Sequence, residues 1–304
     1  MWRVVAYPRA MPSVLASRLR RLAVAATCAA LAAWWSVGLA AAHAMTAPRN
    51  RAVAPSDRLA GMAVADVATT AADGVPLAGW LVRAPGDAGR CVVLAAGIGG
   101  TRRAMASRAA WYAQRGWSAL LVDLRGTGES APERVAMGWH EAKDLAAWTA
   151  FARAQGFIAV GVHGQSLGAA AVCFAALLPE PPAWSFAVLE ACYRDIDAAM
   201  VARMPGIPRP LLWPLVACAE WLLGVDAAQL DPVAAIRQLR APTLLACGAH
   251  DQLVGPDAHD LLFAACPADR KERIDVPDVG HVDLFHAPGS ELPARLAAFL
   301  ARLP

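Results

Sequence analysis

From residue 62 onward, short continuous apolar runs alternate with longer stretches in which apolar residues return every three or four positions. The first pattern is that of strands buried on both faces, the second that of helices lying on a sheet. Residues 62–69 and 77–83 read as a strand pair around the turn Ala72-Asp73-Gly74. Residues 91–96, 118–123, 157–162, 184–189, 242–247 and 273–276 read as further strands. Helices are expected over 101–115, 138–155, 167–178, 256–265 and 291–303, the second on the spacing of Leu145, Trp148 and Phe151, the last on Leu296, Phe299 and Leu300. This alternation predicts an α/β domain over 62–304, a mostly parallel eight-stranded sheet with helices on both faces. Such sheets collect functional side chains at the carboxyl ends of their strands.

The chain before residue 62 has another character. Arg3, Arg9, Arg18, Arg20 and Arg21 precede an uncharged stretch from Leu22 to Ala42 that ends in Ala42-His43-Ala44. A basic start, an apolar stretch and an A-x-A end describe a secretory signal over residues 1–44. The same stretch is long enough to cross a hydrocarbon layer of about 30 Å as one retained N-terminal apolar helix. Its alanine content and the central Trp34-Trp35 favour the signal, its length the anchor, and both readings stand. Either way the body is expected outside the cytoplasm, because an arginine-rich flank stays inside. It is then periplasmic or extracellular in a bacterium, with residues 22–42 as the route to a membrane. Residues 45–61 carry proline and charge with little periodicity and are expected to be a linker.

Composition narrows the function classes. Hydrophobic residues are 57% of the 304-residue chain and charged residues 17%, which suits a folded core and not disorder. The net charge of +3 comes from the leader. The body alone is mildly acidic and lacks the basic patch that nucleic-acid binding needs. The seven cysteines form no CxxC pair and no Walker-type loop is present, so neither metal nor cofactor is expected. Cys91, Cys173 and Cys247 lie in apolar runs as buried thiols, and one disulfide among the remaining body cysteines is open to an exported protein.

The chemistry gathers where strands end. The run FIAVGV passes directly into Gly164-Gln165-Ser166-Leu167-Gly168 and then into an alanine-rich helix, which is G-x-S-x-G between a strand and a helix. The turn is so tight that side chains two positions either side of the serine would collide with neighbouring backbone. It lifts the hydroxyl clear of the sheet, and the helix aims its first amides at the site. A serine hydroxyl is a weak nucleophile and needs a base. Of His250, His259, His281 and His286, His281 follows the last strand in DVGHVDLF and can fold back over the serine, with His286 as the alternative. Asp251, just beyond the strand PTLLAC, is placed to accept the second imidazole N–H and fix its tautomer. Glu190 and Asp283 are the other acids considered. The backbone N–H of Leu167, and that of Ile98 in the turn Gly97-Ile98-Gly99-Gly100, are expected to bind the oxyanion.

These stretches, in this order, resemble the α/β-hydrolase superfamily, specifically its serine hydrolases with a short lid, over about residues 62–304. AAGIGGT is similar to the oxyanion loop that in many members begins His-Gly, with Ala96 here in place of the histidine. The stretch from Asp123 to Ser130 resembles the family's D-x-R-G-x-G-x-S turn, GAHDQLVGP its acid loop and VGHVDLF its histidine loop. The resemblance implies the α/β-hydrolase fold, the triad order Ser166, Asp251, His281, and a lid inserted at about 192–240. In that insert Trp213 and Trp221 either line an acyl pocket or belong to an amphipathic helix packed on the core.

The expected function is a serine hydrolase that cleaves a carboxylic ester or thioester of a small acyl substrate through an acyl-enzyme. One alternative is an amide or peptide hydrolase of the prolyl-peptidase-like branch, whose members usually carry a further large domain. Another is a non-catalytic binding protein on the same fold, which the loss of a triad member would favour; none is lost.

Overall fold

The computed structural model describes residues 13–303 apart from 55, 57, 60, 87, 255 and 256. The leader's Arg3 and Arg9 and the start of the helix expected at 256 lie outside the described residues. In chain order the strands are β1 (Arg49–Asn50), β2 (Arg58–Leu59), β3 (Met62–Thr70), β4 (Pro76–Val82), β5 (Arg90–Ala95), β6 (Ser118–Val122), β7 (Thr127–Gly128), β8 (Ala159–Gln165), β9 (Ala187–Glu190), β10 (Thr243–Gly248) and β11 (Lys271–Val276). The helices are α1 (Ser13–Thr46), α2 (Ala106–Ala113), α3 (Glu141–Ala154), α4 (Leu167–Ala175), α5 (Ile196–Arg203), α6 (Trp213–Leu223), α7 (Pro232–Ala235), α8 (Ala258–Ala265) and α9 (Leu292–Ala301).

The main sheet runs β11-β10-β9-β8-β5-β6-β4-β3-β2. From β11 to β6 all pairings are parallel, and β4, β3 and β2 close one edge antiparallel. The expected eight strands are all present. The ninth, the two-residue β2, is too short to carry a hydrophobic pattern.

Alternation along each strand sends its side chains to two separate cores. In β5, Cys91, Val93 and Ala95 pack on the side of Trp148, Phe174 and Leu262, whereas Val92 and Leu94 pack on the side of Tyr112, Phe186 and Phe299. This is why β5 reads as an unbroken apolar run: both faces are covered.

Strand order reverses between β5 and β8, so the loops after these two strands open a crevice at the sheet's carboxyl edge. Ile98 follows β5 and Ser166 follows β8. The insert between β9 and β10 contributes α5, α6 and α7 above that crevice.

Residues 45–61 are not a free tether. β1 pairs with β7, the Arg49 N–H donates to the Gly126 carbonyl at 2.7 Å, and Asn50 Nδ2 donates to the Ser130 carbonyl at 2.6 Å. Among the described residues one helix, α1, leads into them, and its second half lies along α6.

Candidate active site

Ser166 sits at φ 51°, ψ −109°, between the end of β8 and the first turn of α4. A non-glycine residue rarely adopts such a backbone, and its surroundings hold it there. The Ser166 N–H donates to the Glu190 carbonyl at 2.7 Å. A Cβ on Gly164 would collide with the Gly168 backbone, and one on Gly168 would lie 2.5 Å from the Ala95 carbonyl oxygen. Both glycines therefore answer to close approach: strand, turn and helix meet with no room for a side chain.

Asp251 follows β10 and is almost fully buried. His281 follows β11 in a loop folded back across the end of β10, where the His250 N–H donates to the Val279 carbonyl at 2.9 Å. Gly248 permits this approach, since a Cβ there would stand 2.5 Å from the Val279 carbonyl oxygen. His281 Nδ1 lies 2.8 Å from Asp251 Oδ2. Asp251 Oδ1 in turn accepts the Leu253 N–H at 3.0 Å, which fixes the carboxylate plane. The imidazole is thus oriented through Nδ1 by the acid named from the sequence, leaving Nε2 as the other ring nitrogen. Among the described residues no hydrogen bond joins His281 to Ser166 Oγ, a looseness common in unliganded sites.

Ile98 and Leu167 flank the serine, lining with it a cavity of about 220 Å³. Among the described residues neither of their N–H groups is given to a backbone carbonyl. Gly97 brings the β5 loop close: a Cβ there would lie 3.3 Å from Ser166 Cβ.

Comparison with known proteins agrees with this layout. The esterase Pf2001 of Pyrococcus furiosus superposes with a TM-score of 0.69 at 19% identity, over 84% of this chain and 99% of that one. The chain folds as an α/β hydrolase. A membrane phospholipase A, described as a novel bacterial virulence factor, shares this α/β-hydrolase fold with a TM-score of 0.54 at 16% identity, over 95% of this chain and 98% of that one. The profile of a family described as serine aminopeptidase, S33, matches residues 86–227, a span that holds Ser166 but neither Asp251 nor His281. An uncharacterized protein of Bacillus subtilis (strain 168), YqkD, is 24% identical over 156 residues, and this chain spans about half of that relative's length.

The other candidate acids have partners of their own. Glu190 is fully buried and accepts Arg108 Nε–H at 2.7 Å and Nη2–H at 2.6 Å, and lies 2.5 Å from His163 Nε2. Burial alone would raise its pKa, but the Arg108 charge and His163 more than offset that and hold it at about 2. Burial lowers the His163 pKa, against the pull of Glu190, and its Nδ1 lies 3.2 Å from the Tyr112 hydroxyl. Asp283 accepts Arg108 Nη2–H at 2.7 Å and pairs with His286 at 3.1 Å. Glu190, Asp283 and His286 are therefore tied to Arg108 and to one another, and none is bound to His281. Arg108 carries no sequence signal, because nothing in a helix-forming stretch marks one arginine as buried.

The turn from Asp123 to Ser130 braces the loop that follows β5. Asp123 Oδ1 accepts the Arg102 N–H at 2.6 Å, its Oδ2 accepts the Glu129 N–H at 3.0 Å, and its carboxylate pairs with the Arg102 guanidinium. Arg102 stands two residues beyond Gly100, so this contact supports the Gly97–Gly100 turn. Arg125 is held by Asp144 and Asp73 on the far side of the same turn.

The lid corrects one expectation. Trp213 and Trp221 do not line the Ser166 cavity; Trp221 is 77% exposed, and Trp213 meets Trp35 of α1 edge-on and Trp34 at a tilt. The cavity wall is instead built from Met45, Met137, Ile196 and Met200, with Arg49 and Arg203 at its polar side. Methionine and isoleucine make an adaptable apolar lining suited to a flexible chain. All seven cysteines are free thiols, six of them buried. Among the described residues no group of His, Cys, Asp or Glu is arranged to hold a metal.

Proposed function

We propose that this α/β hydrolase is a serine hydrolase that cleaves a carboxylic ester or thioester, with Ser166 as nucleophile, His281 as general base and Asp251 as the orienting acid. The observation that carries the reading is the Asp251–His281 contact of 2.8 Å at the same sheet edge as the strained Ser166 turn. Ser166 Oγ attacks the carbonyl carbon as His281 Nε2 takes its proton. The tetrahedral oxyanion is received by the N–H groups of Ile98 and Leu167. Collapse expels the alcohol or thiol, which leaves with the proton from His281. A water, deprotonated by the same nitrogen, then attacks the acyl-Ser166 ester and releases the carboxylic acid.

The apolar cavity beside Ser166 supports an acyl group over a peptide, and the likeness to an esterase and to a phospholipase A points the same way. An amide substrate has the S33 profile in its favour but would call for a subsite that recognises a peptide amine. Among the described cavity-lining residues there is no carboxylate to pair with one. Hydrolysis of a chain-length series of p-nitrophenyl esters by the full chain and by Ser166→Ala tests the reading. Turnover that rises with acyl length and disappears in Ser166→Ala supports it. Equal turnover by the two proteins contradicts it.

A further inference from the structure

α1 has two halves that behave differently. From Leu15 to Ala33 every residue is exposed, and at about 1.5 Å per residue this half is on the order of 28 Å long. Its uncharged part, residues 22–33, is on the order of 18 Å long, so spanning a hydrocarbon core of about 30 Å requires Arg18, Arg20 and Arg21 to extend their side chains to the headgroups. Arg18, Arg20 and Arg21 stand near its outer end, where long basic side chains reach a headgroup layer. Trp34 and Trp35 stand at its inner end, where tryptophan favours the opposite interface. They are central in the apolar stretch as a sequence but terminal in the exposed half.

The second half is docked. Trp34, Gly38, Ala41, Ala42 and Met45 form one covered stripe at helical spacing. The stripe packs on α6. Trp34 Nε1–H donates to the Leu211 carbonyl at 3.0 Å, and a Cβ on Gly38 would lie 2.6 Å from Pro214 Cβ. Ala42, the first residue of the A-x-A pattern, is fully buried with Leu212, Leu215 and Cys218 of the lid. At the inner end Thr46 accepts the Val135 N–H at 2.9 Å and Arg134 Nη1–H at 2.9 Å, which pins the helix to the catalytic body.

That pinned end walls the Ser166 cavity. Met45 and Arg49 line it together with Ser166, and Met45 also lines a smaller apolar hollow of about 50 Å³ under the lid, which shares Met137, Ile196 and Met200 with the cavity. Two cations face the cavity without a carboxylate partner among the described residues. Arg49 forms no ion pair, and Arg203 gives Nη1–H only to the carbonyls of Ala199 and Leu253. Burial lowers the Arg203 pKa, and the charges of Asp251 and Tyr193 act against it.

Resting on the serine-hydrolase reading, we infer that α1 is retained as a membrane anchor whose inner end walls the acyl cavity, and that the substrate is an acyl ester of the surrounding bilayer whose anionic headgroup is received by Arg49 and Arg203. The acyl chain runs past Met45 toward the hollow under the lid. The ester carbonyl lies at Ser166 and the anion at the two guanidinium groups. Leu211 and Trp213, both exposed beside Trp35, seat the lid against the bilayer surface. Cleavage after Ala44 would strip the cover from Leu212 and Leu215 and unmoor the cavity wall.

The test uses the full chain in phosphatidylethanolamine vesicles that contain either phosphatidylglycerol or uncharged diacylglycerol, with fatty-acid release as the readout. Arg49→Gln is expected to lower release from phosphatidylglycerol about tenfold relative to diacylglycerol, the scale of one lost charge-assisted hydrogen bond. Gly38→Leu, which wedges α1 off α6, is expected to lower release from both lipids while leaving p-nitrophenyl acetate hydrolysis and fluorophosphonate labelling of Ser166 unchanged. The protein recovered from cell membranes is expected to retain α1 by intact mass. A protein that begins at Met45 and still hydrolyses vesicle lipid overturns the inference, as does an Arg49→Gln effect equal for the two lipids or faster turnover of a soluble anionic acyl thioester than of bilayer lipid. Absence of Ser166 labelling in the wild type would instead strike the serine-hydrolase reading itself.

Discussion

Arg108 and Glu190 form a fully buried, two-pronged ion pair beside the Ser166 turn, with nitrogen–oxygen distances of 2.7 and 2.6 Å. The Glu190 carbonyl holds the Ser166 N–H, and the same Arg108 guanidinium reaches Asp283 in the histidine loop. One arginine therefore links the underside of the Ser166 turn to the loop that carries His281. Removing either partner of a buried pair leaves an uncompensated charge, so Arg108→Met or Glu190→Leu alone should destabilise the fold by about 3–5 kcal/mol, and the double variant should recover much of that. Urea unfolding of the three proteins measures this; additive losses would show the pair to be uncoupled.

Asp283→Asn probes the loop without touching the buried pair. It weakens the tie between Arg108 and the histidine loop at a half-exposed carboxylate, so the stability cost should stay under about 1 kcal/mol. On the proposed reading, a less restrained His281 should lower kcat several-fold with KM little changed, measured on p-nitrophenyl esters.

The elbow stores strain at Ser166. Glycine tolerates φ 51° where serine does not, so Ser166→Gly should raise stability by about 1 kcal/mol, net of the entropy glycine loses on folding, while abolishing turnover. Thermal unfolding beside an activity assay separates the two effects. A destabilised Ser166→Gly would mean that the turn is not strained.

Glu141 gives a pH signature. Burial raises its pKa to about 7, against the Ala136 and Gly138 N–H groups that it accepts. With the folded pKa above the unfolded value of 4.5, the folded state holds a proton that the unfolded state has lost. The Glu141 contribution is thus fully present below pH 4.5 and is lost as pH rises toward 7. Glu141→Gln, which cannot titrate, should gain stability relative to wild type across that window, by up to about 3 kcal/mol. Denaturant midpoints taken at intervals from pH 4 to pH 8 follow the difference; a constant difference would contradict the assignment.

The sheet was legible because its strands are covered on both faces and announce themselves as apolar runs between turns. The Ser166 elbow, Asp251 and His281 were legible because the tight turn demands glycines, and because the acid and histidine stand just past strand ends. β2 and the β1–β7 bridge were not, since two-residue pairings carry no periodicity. The lid tryptophans misled: aromatic content does not say whether a ring lines a pocket, and Trp213 instead stays exposed beside the α1 tryptophans. Arg108 was invisible for a related reason, as its burial depends on Glu190 and Asp283, which lie far from it in sequence. The segment 45–61 has the composition of a linker, yet backbone hydrogen bonds, which any sequence can make, strap its first residues to the catalytic body.

The central claim is that Ser166 acts as a nucleophile activated by His281 and Asp251. Reaction of the full chain with a fluorophosphonate, followed by peptide mass spectrometry, tests it most directly. The account predicts a single adduct on Ser166, labelling slowed by about 10³-fold or more in His281→Ala and strongly slowed in Asp251→Asn, in line with the loss of a triad member. An unlabelled Ser166 in the folded wild type, or labelling at the same rate without His281, would contradict it.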